Sequence, residues 1–487
     1  MLSLMSFCET ILTSRMVIPS VITLKIRYQV VITVFKKVLV ANRGAVAGRV
    51  IRALNEMGVA SVAVYSEADA GAPYVKLATE SYYLGAGPVQ ESYLNQDKLL
   101  EVIARSAADA VHPGYGFLSE NADFARIIAD CGVCFIGPSP EWIDLMGDKV
   151  QARQFMKEAG MPLANGSGLL HGSNEEMVEA AQKVGFPVLV KPSGGGGGIG
   201  MVPAHDEEEL VAAIERSRNL ASRNFSNPKI FIEKLIEKPR HIEFQMLGDK
   251  NGAVRHLFER DCSVQRRHQK VLEESPAPAV ARDVLDAVAE KAAEVISTMG
   301  YDNIGTVEML LGADGNFSFL EMNTRLQVEH AVTEMVTGID LVKSQILSAS
   351  GSSLEEFLPD KIEHKGHAIE ARVYAENPKN FIPSPGPLTV YRPPKPAADL
   401  RVETGFCEGM SVSTFYDPML AKVIAWAPTR EAAVGKLSAA LESFEIEGVK
   451  NNIPFVLQVL NNEDFLSGNI DTTMTDKLKV KNRKYLK

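Results

Sequence analysis

Between Thr306 and Glu329 the chain concentrates side chains that can hold a metal, grip an anion and accept a proton. Val307-Glu308-Met309 sets one carboxylate between apolar neighbours. Further on, Glu321, Asn323, Arg325, Gln327 and Glu329 occupy alternate positions, separated by Met322, Thr324, Leu326 and Val328. While the backbone stays extended, all five point one way. Burying such a row without a charged partner costs several kcal/mol, so the row is expected to face one. Glu308, Glu321 and Asn323 are the hard oxygen donors that Mg²⁺ prefers, with nucleotide phosphates completing its shell. Arg325 and Glu329 lie beyond the metal end as an anion clamp and a general base. The bland alternative is a solvated edge strand, against which the apolar alternate residues weigh.

Two other stretches fit an anionic substrate. Six of the seven residues from Gly194 to Gly200 are glycine, entered from the apolar run Val188–Pro192, which contains Lys191, and left through Met201 and Val202. This predicts a hairpin whose bare backbone N–H groups approach a polyanion closely, in place of a flexible linker. It is not a Walker loop, because no Lys-Ser or Lys-Thr follows. From Arg260 to Lys270, five cationic or potentially cationic side chains accompany a single acid, Asp261. Guanidinium and ammonium groups so crowded suit substrate anions better than a solvated loop. Just upstream, His241 to Gln245 alternates with period two, giving one polar face.

The elements that hold these groups begin with a β-α-β unit. Val38 to Ala41 is an apolar run, a helical pattern passes through Val50, Ile51, Leu54 and Met57, and Ser61 to Tyr65 is apolar again. Ala108 to His112 and Val133 to Gly137 repeat the strand signal between helical patterns, which predicts a doubly wound parallel sheet. Gly44 and Gly48 in the first turn do not make a G-x-G-x-x-G, so a dinucleotide site there is poorly supported.

A length of 487 residues accommodates roughly three domains. The 46% apolar and 23% charged content excludes disorder and coiled coil as the main architecture. Fifty-one basic against sixty-one acidic residues, net -10, argue against a nucleic-acid partner. The five scattered cysteines predict no disulfide framework, and a reducing compartment. Cys131 and Cys134 lack the second pair a zinc site needs and are expected to be structural. In residues 1–35 the apolar stretches are broken by charges, so no membrane anchor is expected. That segment reads as an organellar presequence, or as an upstream extension or mis-chosen start with Met16 as one internal alternative.

Together, Lys37 to Gly44, His112 to Asn121, the glycine loop, Glu259 to His268 and Glu321 to His330 resemble biotin carboxylase, over about residues 36 to 475. The resemblance implies an α/β and α+β protein of the ATP-grasp superfamily. Residues 1–35 would be an extension, 36–149 an N-terminal α/β domain with a doubly wound parallel sheet, and 150–360 an ATP-grasp domain with a glycine-rich lid at about 164–235. Residues 361–475 would form the C-terminal biotin carboxylase domain and 476–487 a basic tail. The implied activity is ATP-dependent carboxylation of biotin by bicarbonate through carboxyphosphate, with Mg²⁺ or Mn²⁺.

By position, Lys149 and Lys191 look like the phosphate lysines, Gly196, Gly197 and Gly198 the lid, and Glu233, Lys234 and Leu235 the adenine hinge. His241, Gln265 and His268 would line the nucleotide site. Glu308, Glu321 and Asn323 would hold magnesium, and Lys270, Arg325, Gln327 and Val328 bicarbonate. Glu329 is the implied base, and Arg372, Tyr115 and Gly116 would meet biotin. The resemblance further implies a homodimer working with a biotin carboxyl carrier protein and carboxyltransferase subunits, with acetyl-CoA carboxylase first and other acyl-CoA or pyruvate carboxylases as alternatives. A cytoplasmic address is expected, or an organellar matrix if residues 1–35 are a presequence. Ala45, Tyr74, Thr79, Ile199 and Ala331 depart from the family pattern, and Ile199 removes a cation from the lid. The rival readings are an ATP-grasp ligase acting on a different carboxylate and a non-catalytic nucleotide-binding subunit.

Overall fold

The structure, a computed structural model, describes residues 23–26, 30–171, 173–194, 199–225 and 228–478. Gly196, Gly197 and Gly198, and most of the N-terminal extension and basic tail, lie outside the described residues.

The N-terminal sheet is parallel throughout. Its strands are β1 (Lys37–Val40), β2 (Ala60–Ser66), β3 (Glu80–Gly85), β4 (Ala110–His112) and β5 (Cys134–Phe135), in the order β3-β2-β1-β4-β5. The core strands are apolar runs because both faces are covered: Val38, Val40 and Ala63 enter one apolar cluster, Leu39, Val62 and Val64 another. The order reverses at β1 and β4, which opens a crevice beyond their carboxyl ends. Asn42 ties the two loops there, its Nδ2 donating to Pro113 O at 2.7 Å and Tyr115 O at 2.8 Å. Gly114 has φ +65°, and a Cβ on it would stand 2.9 Å from Asn42 Nδ2, so only glycine fits this turn.

Tyr74 and Thr79, two departures from the family pattern, have structural partners. The buried Tyr74 hydroxyl reaches Val64 O at 3.0 Å and Tyr93 Oη at 3.1 Å, and Thr79 Oγ1 accepts from Ser61 N at 3.1 Å.

The lid is a small unit with its own core. Strands β6 (Val188–Pro192), β7 (Val202–Ala204) and β8 (Ile230–Lys234) form an antiparallel sheet in the order β8-β6-β7. Helices Asn174–Val184 and Glu207–Phe225 accompany it. Val188, Val190, Ile230 and Ile232 pack on Met177, Ala181, Leu210 and Ile214 in a cluster of their own. The β6-β7 hairpin stands where the glycine pattern predicts it, with Val188 opposite Ala204, and Ile199 is exposed.

The largest sheet has eight antiparallel strands. They are β9 (Arg240–Gly248), β10 (Val254–Arg266), β11 (Gln269–Ser275), β12 (Asn303–Leu311), β13 (Phe317–Asn323), β14 (His367–Tyr374), β15 (Leu400–Thr404) and β16 (Met419–Ala427). The order is β13-β12-β9-β10-β11-β14-β16-β15. Pairing of β11 with β14 carries this sheet continuously across residue 360. One apolar cluster likewise joins Val46, Val50 and Leu54 of the N-terminal helix Gly44–Glu56 to Val423, Leu437 and Val456. The C-terminal segment therefore buttresses both the first sheet and the site. Cys131 is disulfide-bonded, a pairing the composition did not anticipate, whereas Cys134, Cys262 and Cys407 are free. Among the described residues no helix is long and apolar enough to cross a membrane.

Two buried histidines make stability pH-dependent. His112 Nδ1 accepts from Gly114 N at 3.0 Å, and His330 Nδ1 lies 2.7 Å from Gln327 O. Burial pushes each imidazole down to about 3. Between that value and an unfolded value of about 6.5, the unfolded chain binds more protons, so stability falls as pH falls. Each histidine contributes about 1.4 kcal/mol per pH unit in this window. Glu273, Glu370 and Glu376, raised by burial to about 7, about 8 and about 7, oppose this slope, so the measurement is comparative. From pH 6.5 to 5, urea unfolding of the parent should lose free energy relative to a His112→Gln/His330→Gln variant, and identical slopes would contradict neutral burial of the pair.

Candidate active site

Cross-strand register assembles the centre of the site. Arg260 on β10 lies opposite Glu243 on β9, Glu243 opposite Glu308 on β12, and Glu308 opposite Glu321 on β13. Directly opposed residues share a face, so three carboxylates and a guanidinium stand in one row across four strands. Such a row survives burial only with matching cations. Arg260, fully buried, gives Nε to Glu243 Oε1 at 2.6 Å and Nη1 to Gln245 Oε1 at 2.8 Å. Lys270, on β11, sends Nζ to Glu243 Oε2 at 2.6 Å, Glu308 Oε1 at 2.9 Å and Glu329 Oε1 at 2.7 Å. Lys149, the first residue of helix Lys149–Glu158, holds Glu321.

The loop after β13 departs from the expected geometry. Alternation predicts extended backbone through Glu329, but β13 ends at Asn323 and carries a bulge between the pairs Glu308–Glu321 and Met309–Phe319. The chain leaves the ladder because Glu120, from the N-terminal domain, takes Thr324 N at 3.2 Å and Arg325 Nε at 2.8 Å. Convergence is retained by other means. Asn323 Nδ2 and Gln327 Nε2 donate to Glu308 Oε1 at 2.7 and 3.0 Å. Arg325 Nη1 and Nη2 reach Gln327 Oε1 at 2.7 Å and Asn323 Oδ1 at 2.8 Å. His330 holds Gln327 O, and Lys422 donates to Val328 O. Glu329, at the start of helix His330–Thr337, meets Lys270 with one oxygen and Arg372 Nη2, at 3.0 Å, with the other.

These contacts set the charge states. Burial raises the carboxyls of Glu308 and Glu329, but Lys270, with His241 for the first and Arg372 for the second, holds both well below the usual carboxylate range. Burial alone would neutralise Lys270, yet Glu243, Glu308 and Glu329 keep its ammonium well above its ordinary value. Both acids and the lysine are charged at neutral pH.

The nucleotide-side residues divide into two groups. His241 Nε2 lies 2.9 Å from Glu308 Oε2, and its Nδ1 is 3.0 Å from Gln265 Nε2, so both join the row. Lys191 and Arg153 both pair with Glu233 on the lid, the latter at 2.7 Å. Lys149, besides Glu321, feels the charges of Glu308 and Glu233, which links the lid pair to the row. Lys234 and Leu235 commit their backbone N–H groups to Asn165 O at 2.8 Å and Pro187 O at 3.0 Å. His268 stands exposed at the tip of the β10-β11 hairpin with φ +65°, outside the buried cluster. Tyr115 has an enclosed hydroxyl without a hydrogen-bond partner, raised to about 12 by burial, and Gly116 is exposed beside it with φ +69°.

The donor set suits Mg²⁺, since Glu308, Glu321 and Asn323 are all hard oxygen donors. The row also attracts cations already, as Lys270 and Lys149 demonstrate. Sequence reasoning missed Glu243, Glu120 and Arg153, and took Arg260 as part of a cationic stretch for substrate anions, whereas it is the buried counter-ion of Glu243. The polar face of His241 to Gln245 was the available signal for Glu243. Nothing local marked Glu120 or Arg153, whose partners lie 205 residues away or across the lid.

An eight-stranded antiparallel sheet with a small three-stranded lid unit, whose Glu233 and Lys191 lie near Lys149 and the row of acids, defines an ATP-grasp enzyme. Residues 34–143 match the family described as biotin carboxylase, N-terminal domain, and 370–477 the biotin carboxylase C-terminal domain. Residues 148–357 match the carbamoyl-phosphate synthase L chain, ATP binding domain. The chain is 48% identical over 448 residues to the biotin carboxylase of Halalkalibacterium halodurans, covering 92% of this chain and 99% of that one. It is 44% identical to a pyruvate carboxylase subunit of Methanothermobacter thermautotrophicus, covering 91% and 90%. A crystal structure of a Campylobacter jejuni biotin carboxylase complex with β,γ-ATP superposes with TM-score 0.88 at 42% identity, covering 91% and 99%. The biotin carboxylase domain dimer of Hydrogenobacter thermophilus 2-oxoglutarate carboxylase, with MgADP, ADP and bicarbonate, gives 0.88 at 43% identity, covering 91% and 98%. The chain belongs to the biotin carboxylase family. It is an ATP-dependent ligase of that family.

Proposed function

We propose that the Lys270 centred cluster is where bicarbonate is activated, with Glu329 as base and Arg372 as the group that meets biotin. The observation that carries this reading is one ammonium held within 2.9 Å of Glu243, Glu308 and Glu329, with Arg372 on the far oxygen of Glu329. Two anions entering this cluster compete for its cations: ATP phosphates for Lys149 and Lys191, bicarbonate for Lys270 and Arg325. Competition for Lys270 loosens its hold on Glu329, which raises the basicity of that carboxylate at the moment it is needed. Glu308, Glu321 and Asn323 would hold Mg²⁺, which when bound neutralises charge on the phosphates.

Glu329 takes the bicarbonate proton, a carbonate oxygen attacks the γ-phosphorus, and the bond to the β-phosphate oxygen breaks, giving carboxyphosphate and ADP. Carboxyphosphate separates into CO₂ and phosphate. The phosphate accepts the ureido N–H proton while Arg372 stabilises the enolate-like oxygen, and the freed nitrogen attacks CO₂. Tyr115 and Gly116, in the loop beyond β4, flank the ureido ring, and the lid with Gly196, Gly197 and Gly198 excludes water from the intermediate.

The acceptor of the carboxyl group is proposed to be acetyl-CoA, with biotin presented by a carrier protein and the enzyme acting as a homodimer in the cytoplasm. That acceptor is carried from the sequence resemblance, and the relative named simply biotin carboxylase is named for no acceptor. Relatives named for pyruvate and methylcrotonoyl-CoA define the competing acceptors. Phosphate release from ATP should require bicarbonate and rise on adding free biotin. Activity indifferent to biotin would remove the proposal. Copurification of the biotinylated partner, followed by transfer to acetyl-CoA, propionyl-CoA or pyruvate, then separates the acceptors.

A further inference from the structure

Behind Arg372 lie buried groups that the proposed chemistry does not use. Arg372 stands opposite Lys422, and Lys422 opposite Glu403, in a second cross-strand row over β14, β16 and β15. Two residues along β14 from Arg372, Glu370 lies opposite Glu273 of β11. All of these are at least nine-tenths buried, and Glu273 and Glu370 are wholly so. Their contacts differ. Glu273 Oε1 accepts from Arg372 Nε at 2.6 Å, while its Oε2 has no hydrogen-bond partner. Neither oxygen of Glu370 is hydrogen-bonded, and its nearest ammonium, Lys422 Nζ at 3.6 Å, is shared with Glu403 at 2.9 Å.

A guanidinium presents its N–H groups in a rigid plane, so fixing Nε from one side and Nη2 from another fixes the orientation of the whole fork. Glu329 alone holds Arg372 at one point, about which the fork can turn. Glu329 is also the group that changes its proton count in the proposed reaction, so it is a poor anchor during turnover. Glu273 supplies the second point and takes no part in proton transfer. Burying a carboxylate against one guanidinium, with its other oxygen unpartnered, costs several kcal/mol that an apolar residue in the same strand would avoid.

We propose that Glu273 is the positioning residue of the biotin site, holding the Arg372 guanidinium in the plane in which it meets the ureido oxygen. This rests on the assignment of Arg372 to biotin given above. Glu370, of equal burial and opposite in register but with no hydrogen bond to Arg372, is the internal control. Burial pushes the carboxyls of Glu273 and Glu370 up, to about 7 and about 8. Comparison at pH 8 therefore keeps Glu273 largely ionised.

The test compares Glu273→Gln, Glu370→Gln, Arg372→Ala and the Glu273→Gln/Arg372→Ala double variant. For each, biotin-dependent carboxylation and the slow bicarbonate-dependent ATP cleavage without biotin are measured. Glu273→Gln should lower kcat/KM for biotin on the order of 10- to 100-fold, the cost of a misaligned group, and leave KM for ATP and biotin-free cleavage within about twofold. Glu370→Gln should change the biotin term by less than about threefold. The double variant should be no worse than Arg372→Ala alone, since the two act as one unit. If the amide variant does not fold, Glu273→Asp, which keeps the charge and shortens the reach, should give the same selective loss. Losses that multiply in the double variant, or an equal loss in Glu370→Gln, would overturn the inference. An unaltered biotin term in Arg372→Ala would instead bring down the site assignment, and this inference with it.

Discussion

Glu329→Gln is expected to lower bicarbonate-dependent ATP cleavage by about 10²- to 10⁴-fold while leaving the fold intact. The substitution is isosteric; it removes the carboxylate's charge and its ability to accept a proton, and leaves one oxygen to accept from either Lys270 or Arg372. Lys270 keeps Glu243 at 2.6 Å and Glu308 at 2.9 Å as counter-ions, and Arg372 keeps Glu273 at 2.6 Å, so no cation is left unpaired. The nucleotide contacts proposed for Lys149 and Lys191 are untouched, so KM for ATP should stay within a few-fold of the parent enzyme. Phosphate release at saturating ATP and bicarbonate, alongside the thermal midpoint, reads both halves. A variant retaining more than about a tenth of the parent rate would remove Glu329 from the role of base.

Lys270→Met should have the second large effect, and it should fall on stability as well as activity. Glu243, Glu308 and Glu329 are almost wholly buried, and Lys270 neutralises part of all three. Removing it leaves three buried carboxylates one positive charge short, with Arg260, His241 and Arg372 as their remaining partners, a loss on the order of 3 to 5 kcal/mol. The pH dependence follows from the sign of the shifts. In the parent, Glu308 and Glu329 are held below their unfolded values, so the stability they contribute is present above about pH 4.5 and lost as pH falls. Without Lys270, burial dominates, their folded values rise above the unfolded ones, and the variant loses stability as pH rises. The stability gap between parent and variant should therefore be wide at pH 8 and narrow at pH 5 in urea titrations. An equal gap at both pH values would mean that Lys270 is not the counter-ion of these acids.

The legible parts of the molecule are those whose cause is local. β1 and β2 are evident as apolar runs because a parallel strand covered on both faces needs no alternation. Glu308 is evident because a lone carboxylate between Val307 and Met309 in a strand calls for a partner. The continuation of β13 through Glu329 is a wrong expectation with a tertiary cause. Alternation favours an extended chain, but Glu120, some 200 residues upstream, captures Thr324 N and Arg325 Nε and bends it. The row of Arg260, Glu243, Glu308 and Glu321 was illegible for a related reason. Lateral register is decided by strand pairing and turns, and no spacing along one strand reports which residue of the next lies opposite. The joining of β11 to β14 across residue 360 belongs to the same class.

The central claim is that the Lys270 cluster makes bicarbonate a nucleophile toward the γ-phosphate of ATP. Turnover with ¹⁸O-labelled bicarbonate and mass analysis of the released phosphate tests it most directly. If a bicarbonate oxygen attacks phosphorus, each phosphate formed in the parent enzyme carries one labelled oxygen, and Glu329→Gln forms such phosphate only at its residual rate. Phosphate free of label would mean that water, and not bicarbonate, is the nucleophile, and would contradict the role assigned to the cluster.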